Sequence, residues 1–246
     1  MASATFRFYA ELNAFLPLER RQRDFVVKLA RAATTKHMIE ACGVPHTEVA
    51  YIFVNGEPAS FSRLLKDGDR VAVYPAIKRL DLSPLAPLNA PPPGRPSFIA
   101  DCHLGGLARM LRMAGFDTAF RNDYDDREIA ELADRESRIV LTRDLELLKL
   151  RTIRYGAYVH ALKAEAQFAE VVRRFDLLPH FAPFSRCLLC NVLLRDVAKE
   201  VVIDQLPPSV REHQRHFRRC PSCQRIYWPG SHWERMQAML SAAVRR

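Results

Sequence analysis

Residues 98–120 read FIADCHLGGLARMLRMAGFDTAF, and this stretch sets the fold of the chain. It opens as a short apolar strand that ends on Asp101. From Leu104 to Gly115 the apolar residues recur at helical spacing, with Leu104, Leu107, Ala108 and Leu111 on one face. FDTAF (116–120) returns to strand character. The alternation then continues downstream. DDREIAELADRE (125–136) reads as a helix, RIVLT (138–142) as a strand and LELLKLRTIRYG (145–156) as a helix. AYVHA (157–161) is strand-like and KAEAQFAEVVRRF (163–175) is helical. Repeated strand–helix units favour a mainly parallel, three-layer α/β sheet, here placed at residues 97–180.

Upstream, DLSPLAPLNAPPPGRP (81–96) is proline-rich. Proline fixes its own backbone angle and lacks an amide donor, so the segment reads as a semi-rigid linker. Residues 1–80 differ again. ATFRFYA (4–10) alternates as a strand, and Phe25 to Glu40 reads as a helix or helix–loop element. VAYIFVNGEPA (49–59) is a strand with an Asn55-Gly56 turn, and LLKDGDRVAVYPAI (64–77) turns at Asp67-Gly68 into another strand. Strands around one helix in about 80 residues make a small mixed-sheet domain. Beyond residue 180 the α/β pattern stops. Residues 181–246 hold two Cys-x-x-Cys pairs and a basic, aromatic ending.

In an open parallel sheet, ligands lie beyond the carboxyl ends of the strands. Asp101 follows the first strand, Asp125 and Asp126 open the helix after the second, and Asp144 lies two residues past RIVLT. Gathered carboxylates repel and call for a cation, and oxygen ligands suit Mg²⁺ or Mn²⁺. Such ions activate water and steady an in-line phosphoryl displacement. Each acid also has a local reading. Asp125 with Glu128 forms a capping box, and Thr142 caps the next helix with Asp144 in its first turn. Arg109, Arg112 and Arg143 read as a group that meets an anionic backbone, and singly as a solvated basic face.

Cys187-Leu-Leu-Cys190 and Cys220-Pro-Ser-Cys223 offer four thiolates for a tetrahedral Zn²⁺ of structural type. Redox pairing and iron–sulfur ligation are the alternatives. Around the second pair, Arg218, Arg219, Arg225, Tyr227, Trp228, His232 and Trp233 interleave charge with aromatic rings. That pattern suits unpaired bases and phosphates or the packing of a small module. His213, His216 and His232 read as surface groups near a site already filled by cysteine. Cys42 and Cys102 stand alone and read as small packed hydrophobes.

FIADCHLGGLARMLRMAGFDTAF, DDREIAELADRESRIVLTRDLELL and the ending RIYWPGSHWERM resemble the Mut-seven C-terminal RNase domain (Mut7-C), a PIN-like nuclease family. That resemblance implies a PIN-like domain, a C-terminal zinc ribbon and acids that hold divalent metal to cut RNA. The family's acids fall on Asp101, Asp126 and Asp144, with Asp125 as an alternative or auxiliary ligand. FRFYAELNAFLP, VNGEP and LKDGDRVAVYP resemble the ubiquitin-like sulfur carriers. Those carriers end in a free Gly-Gly tail, whereas here PAIKRLD (75–81) runs on into the chain. Without that terminal carboxylate there is no thiocarboxylate chemistry, and the domain reads as a docking module.

Lysine and arginine outnumber aspartate and glutamate by 37 to 28, a formal charge of +9, which favours an anionic partner. MASATFRFYAEL lacks the layout of a secretory signal, and no stretch has the length of a membrane span. Unpaired thiol motifs then fit a reducing, cytoplasmic location. The expectation is a metal-dependent ribonuclease with structural Zn²⁺ and catalytic Mg²⁺ or Mn²⁺, acting on tRNA or other structured or single-stranded RNA. Two alternatives stay open: an RNA-binding protein with a degenerate nuclease site, and a docking protein whose ubiquitin-like domain meets a protein partner.

Overall fold

The computed structural model describes residues 2–76 and 85–230, with residues 234, 237 and 238. They form two compact units. The first joins residues 1–93 to 126–158, and the second joins 94–125 to 159–246.

In the first unit, β1 (Ser3–Phe8) pairs antiparallel with β2 (Phe25–Lys28). Then come α1 (Thr35–Ala41), β3 (Tyr51–Val54), β4 (Glu57–Pro58) and β5 (Arg70–Tyr74). The strand order is β2-β1-β5-β3-β4, with the central pair β1 and β5 parallel. This is the ubiquitin-like β-grasp arrangement. Alternation along β1 buries Ala4, Phe6 and Phe8 with Leu12, Ile39, Ile52 and Val73. Each large apolar side chain buried in this way contributes about 1.5–3 kcal/mol. Asn55 and Gly56 both take positive φ (54° and 86°), as a tight primed hairpin turn requires.

One expectation fails here. Phe25 to Lys28 is a strand and not the start of a helix. Phe25 lies opposite Phe6 while Val26 points to solvent, a period-two pattern that β-branched valines favour. The helix begins only after Thr34, whose hydroxyl accepts the His37 N–H at 3.2 Å.

The same unit contains α3 (Asp126–Glu136), β8 (Ile139–Thr142), α4 (Leu145–Lys149) and β9 (Gly156–Tyr158); α2 (Gly105–Met113), β6 (Phe98–Ala100) and β7 (Thr118–Ala119) belong to the other unit. β8 is buried throughout and runs parallel to β9, with Leu141 opposite Ala157. The helix expected over 145–156 stops at Lys149. Leu150 leaves helical backbone at ψ 133°, and Ile153 is fully buried as the chain returns to the parallel strand. A 3-10 turn, His46–Glu48, lies against β9. Glu48 Oε1 accepts the Tyr158 N–H at 2.7 Å. His46 places Nε2 2.9 Å from the Ile153 carbonyl and Nδ1 2.8 Å from Glu40 Oε1. The later part of the proline-rich segment is pinned here as well. Leu88 N–H donates to the Ala50 carbonyl at 2.8 Å, and the Asn89 amide bonds the Thr47 carbonyl. Residues 81–84 of that segment lie outside the described residues.

In the second unit, β6 (Phe98–Ala100) runs parallel to β7 (Thr118–Ala119), with α2 (Gly105–Met113) between them in sequence. α5 (Ala164–Phe175) packs on α2. Gly106 permits the approach, since a Cβ there would come 2.9 Å from Ala164 Cβ. Gly115 ends α2 at φ +95°, where a Cβ would lie 2.2 Å from the Ala182 carbonyl oxygen. The strand expected over 116–120 shortens to two residues. After α5 come β10 (Arg195–Val197), α6 (Lys199–Val202), α7 (Pro208–His213), β11 (Phe217–Arg219) and β12 (Ile226–Tyr227). β10, β11 and β12 form an antiparallel sheet over a small core of Val202, Leu206 and Phe217.

Candidate active site and metal centre

Asp101 follows β6 directly and is 7% exposed. Its carbonyl accepts the Leu104 N–H at 2.8 Å, starting the 3-10 turn that leads into α2. Its carboxylate takes the Cys102 thiol as a partner, and that bond, together with burial, raises the thiol's pKa. Cys102 is therefore half-buried and polar-paired, unlike Cys42, which packs in the β-grasp core. Asp126 is the first residue of α3 and is exposed, as is the preceding Asp125.

Asp144 is exposed and is itself the N-cap of α4, its Oδ1 accepting the Glu146 N–H at 2.7 Å. Thr142 stands two residues earlier than the cap, and its hydroxyl accepts the Asp144 N–H at 2.9 Å. The expected capping roles are thus displaced by two positions. Asp126 and Asp144 belong to the first unit, Asp101 and Asp125 to the second.

The three arginines separate. Arg109 is exposed on α2, and Arg143 is half-buried beside Asp144. Arg112 is 6% exposed, and its guanidinium donates to three carbonyls: Thr118 at 2.9 Å, Leu188 at 3.1 Å and Leu189 at 2.8 Å. These bonds commit the guanidinium to the protein's own backbone. Arg112 ties α2 to the backbone between Cys187 and Cys190. Burial lowers its pKa, countered by Cys187 and Asp117.

The four cysteine sulfurs of residues 187, 190, 220 and 223 all lie within 4.8 Å of one another. A Zn–S bond of about 2.3 Å sets tetrahedral sulfurs about 3.8 Å apart, so the quartet fits zinc. Two matching backbone turns build it. In each, the N–H of the second cysteine points to the first sulfur (Cys190 to Cys187 at 3.4 Å, Cys223 to Cys220 at 3.5 Å). The next residue takes positive φ and bonds back to the first cysteine's carbonyl, Asn191 and Gln224 both at 3.0 Å. The first cysteine's own N–H donates onward to Val192 or Arg225 at 2.9 Å. Burial works against a Cys187 thiolate, but the N–H groups of Cys190 and Leu189 and the Tyr227 hydroxyl outweigh it, bringing the thiol down to about 7.

Two residues that support this centre carried no clear signal in the sequence. Tyr227, expected only as an aromatic of the basic tail, places its hydroxyl 3.1 Å from Cys187 Sγ and accepts the Leu188 N–H. Asn191 accepts the Thr118 N–H at 3.0 Å and donates to Asp117 Oδ1 at 2.8 Å, tying the first turn to β7. Arg218 is half-buried, bonded to Asp196 and to the Phe184 carbonyl. Trp228 packs on the small core of this module. His232 and Trp233 lie outside the described residues.

A ubiquitin-like sheet, acid-bearing α/β strands and a four-cysteine module define the class of protein. Residues 96–240 match the model of the Mut7-C RNAse domain, and residues 1–81 match that of the Mut7-C ubiquitin domain. The chain belongs to the Mut7-C RNase domain family. A human protein described as "Exonuclease mut-7 homolog" is 36% identical over 115 residues, covering 42% of this chain and 13% of that protein. The chain thus spans a small part of that relative's length. No solved structure shows a significant match. Among the described residues, no helix is long and apolar enough to cross a membrane.

Proposed function

We propose that the chain is a ribonuclease that hydrolyses RNA phosphodiester bonds with Mg²⁺ or Mn²⁺ held by Asp101, Asp126 and Asp144, and with Asp125 as an auxiliary ligand. Asp101 carries the reading: a nine-tenths-buried carboxylate at the carboxyl end of β6, in a chain of an RNase family. A divalent ion bound by such carboxylates supplies Lewis-acid chemistry at the scissile phosphate. The carboxylates bind and orient it, while Arg109 and Arg143 meet the flanking phosphates. The cysteine quartet binds Zn²⁺ as a structural ion, since four thiolates leave no open position.

The test is cleavage of a mixed RNA pool with and without added Mg²⁺ or Mn²⁺, by the wild type and by Asp101→Asn and Asp144→Asn. Metal-dependent cleavage that both substitutions abolish is the expected result. Cleavage that survives both would remove the assigned acids. Tight RNA binding with no cleavage by the pure wild type would replace the reading with that of an RNA-binding protein.

A further inference from the structure

The open face of the β-grasp sheet carries side chains that neither the acids nor the cysteines use. Strand alternation leaves Arg7, Tyr9, Phe53 and Tyr74 on the face opposite the core, and a cavity of about 650 Å³ opens among them. That volume is in the range of pockets that take small organic ligands. Tyr9 and Tyr74 stack with centroids 4.1 Å apart and planes 10° apart. The Arg7 guanidinium lies over Tyr9 at 5.3 Å. Phe53 stands perpendicular to Tyr74 at 5.8 Å. A perpendicular pair leaves at least one ring face unmatched by its neighbour, and Tyr9 takes only one face of Tyr74. Arg7 and Arg70 share the single carboxylate of Asp24, at 3.2 and 3.1 Å, so this edge of the cavity keeps a net positive charge.

We propose that this face binds single-stranded RNA, with unpaired bases stacked on the Tyr9–Tyr74–Phe53 row and the backbone phosphates met by Arg7 and Arg70. Stacking on aromatic rings is open to every base, and arginines beside the rings track the phosphates. An aromatic row drawn from β3, β5 and the residue that follows β1, with cations at its edge, suits a planar, anionic polymer better than an apolar or basic peptide. Burial, with the hydrogen bond to Tyr9, pushes the Tyr74 hydroxyl up to about 12, so the row adds no negative charge near neutrality.

The inference rests on the ribonuclease reading for its choice of polymer, so binding is measured apart from cleavage. The probe is a fluorescent, unstructured 2′-O-methyl RNA titrated by anisotropy into the full chain. The double substitution Tyr9→Leu/Tyr74→Leu keeps apolar bulk and removes the stacked rings, and is expected to weaken binding about tenfold to a hundredfold. Asp144→Asn, run beside it, is expected to lose cleavage while keeping this binding, which separates failure of the two readings. Should the double variant not fold, the wild type crosslinked to 4-thiouridine RNA decides, with adducts expected in peptides containing Tyr9, Phe53 or Tyr74. Wild-type affinity in a folded double variant, or adducts confined to residues beyond 76, overturns the proposal. So does an unchanged RNA affinity accompanied by loss of a bound protein, which would make the face a protein-docking surface.

Discussion

Asp144 has two jobs that substitution separates. Its Oδ1 caps α4, and in the proposed reaction its carboxylate holds metal. Asparagine caps nearly as well as aspartate, but it lacks the charge that a hard cation needs. Asp144→Asn is therefore expected to keep the melting temperature of the wild type and to lose cleavage. Asp144→Ala loses both, with a stability cost of about 1 kcal/mol readable by denaturant titration. Equal stability in both variants would remove the capping role. Arg112 gives a second contrast at this scale. Arg112→Met keeps apolar length but leaves the Thr118, Leu188 and Leu189 carbonyls without their donor. The buried Thr118 carbonyl alone costs about 1–3 kcal/mol when orphaned, so the expected outcome is a clear loss of stability together with weaker zinc retention. A variant as stable and as zinc-loaded as the wild type would show that these bonds do not matter.

At the scale of elements, the proposed zinc makes the two cysteine turns the part most dependent on a ligand. The small core of Val202, Leu206 and Phe217 is thin for a three-stranded sheet, and structural zinc supplies folding free energy outright. Stripping zinc is expected to abolish amide protection in β10, β11 and β12 while leaving β1 and β5 protected, as hydrogen exchange would read. Uniform protection with and without metal would count against a structural ion. These elements also show what the sequence made legible. Cysteine spacing announced the quartet because chelation needs only the ligands and a short loop. The places of Asp101, Asp126 and Asp144 at a strand end and at helix starts were legible because these boundaries follow from periodicity. β2 was not, because four residues of valine and phenylalanine beside a helix carry too little period to choose. The bonds of Arg112 were not legible, because helical spacing places it near Arg109 but does not show that Thr118 and the 188–189 backbone surround it. The roles of Asn191 and Tyr227 at the quartet gave no signal, since their partners lie about 40 to 70 residues away in the chain.

For the whole chain, the decisive fact is that the β-grasp segment and residues 126–158 fold as one compact unit. The joint is built from buried groups. Glu48 is 3% exposed and satisfies the Tyr158 N–H, Thr47 is buried beside Gly156, and Phe15 meets Tyr158 edge-on at 5.6 Å. A free strand edge is a template for aggregation unless something covers it. β9 has the His46–Glu48 turn in that place. The proline-rich segment, pinned at Leu88 and Asn89, holds the chain against the same region and is more than a spacer. Removing residues 1–93 would therefore uncover Leu148, Ile153 and Ala157, which are buried in the intact chain, instead of releasing a self-sufficient nuclease. The fragment 94–246 is expected to show no cooperative thermal transition and to bind a hydrophobic dye, whereas the full chain melts cooperatively. Glu48→Ala in the full chain is the milder form of the same test. It leaves the part-buried Tyr158 N–H without this acceptor, with a loss of stability of about 1 kcal/mol and faster exchange at the Tyr158 amide. A fragment that melts at the temperature of the full chain would show that the β-grasp segment is an appendage, and that the joint at β9 contributes nothing to the fold.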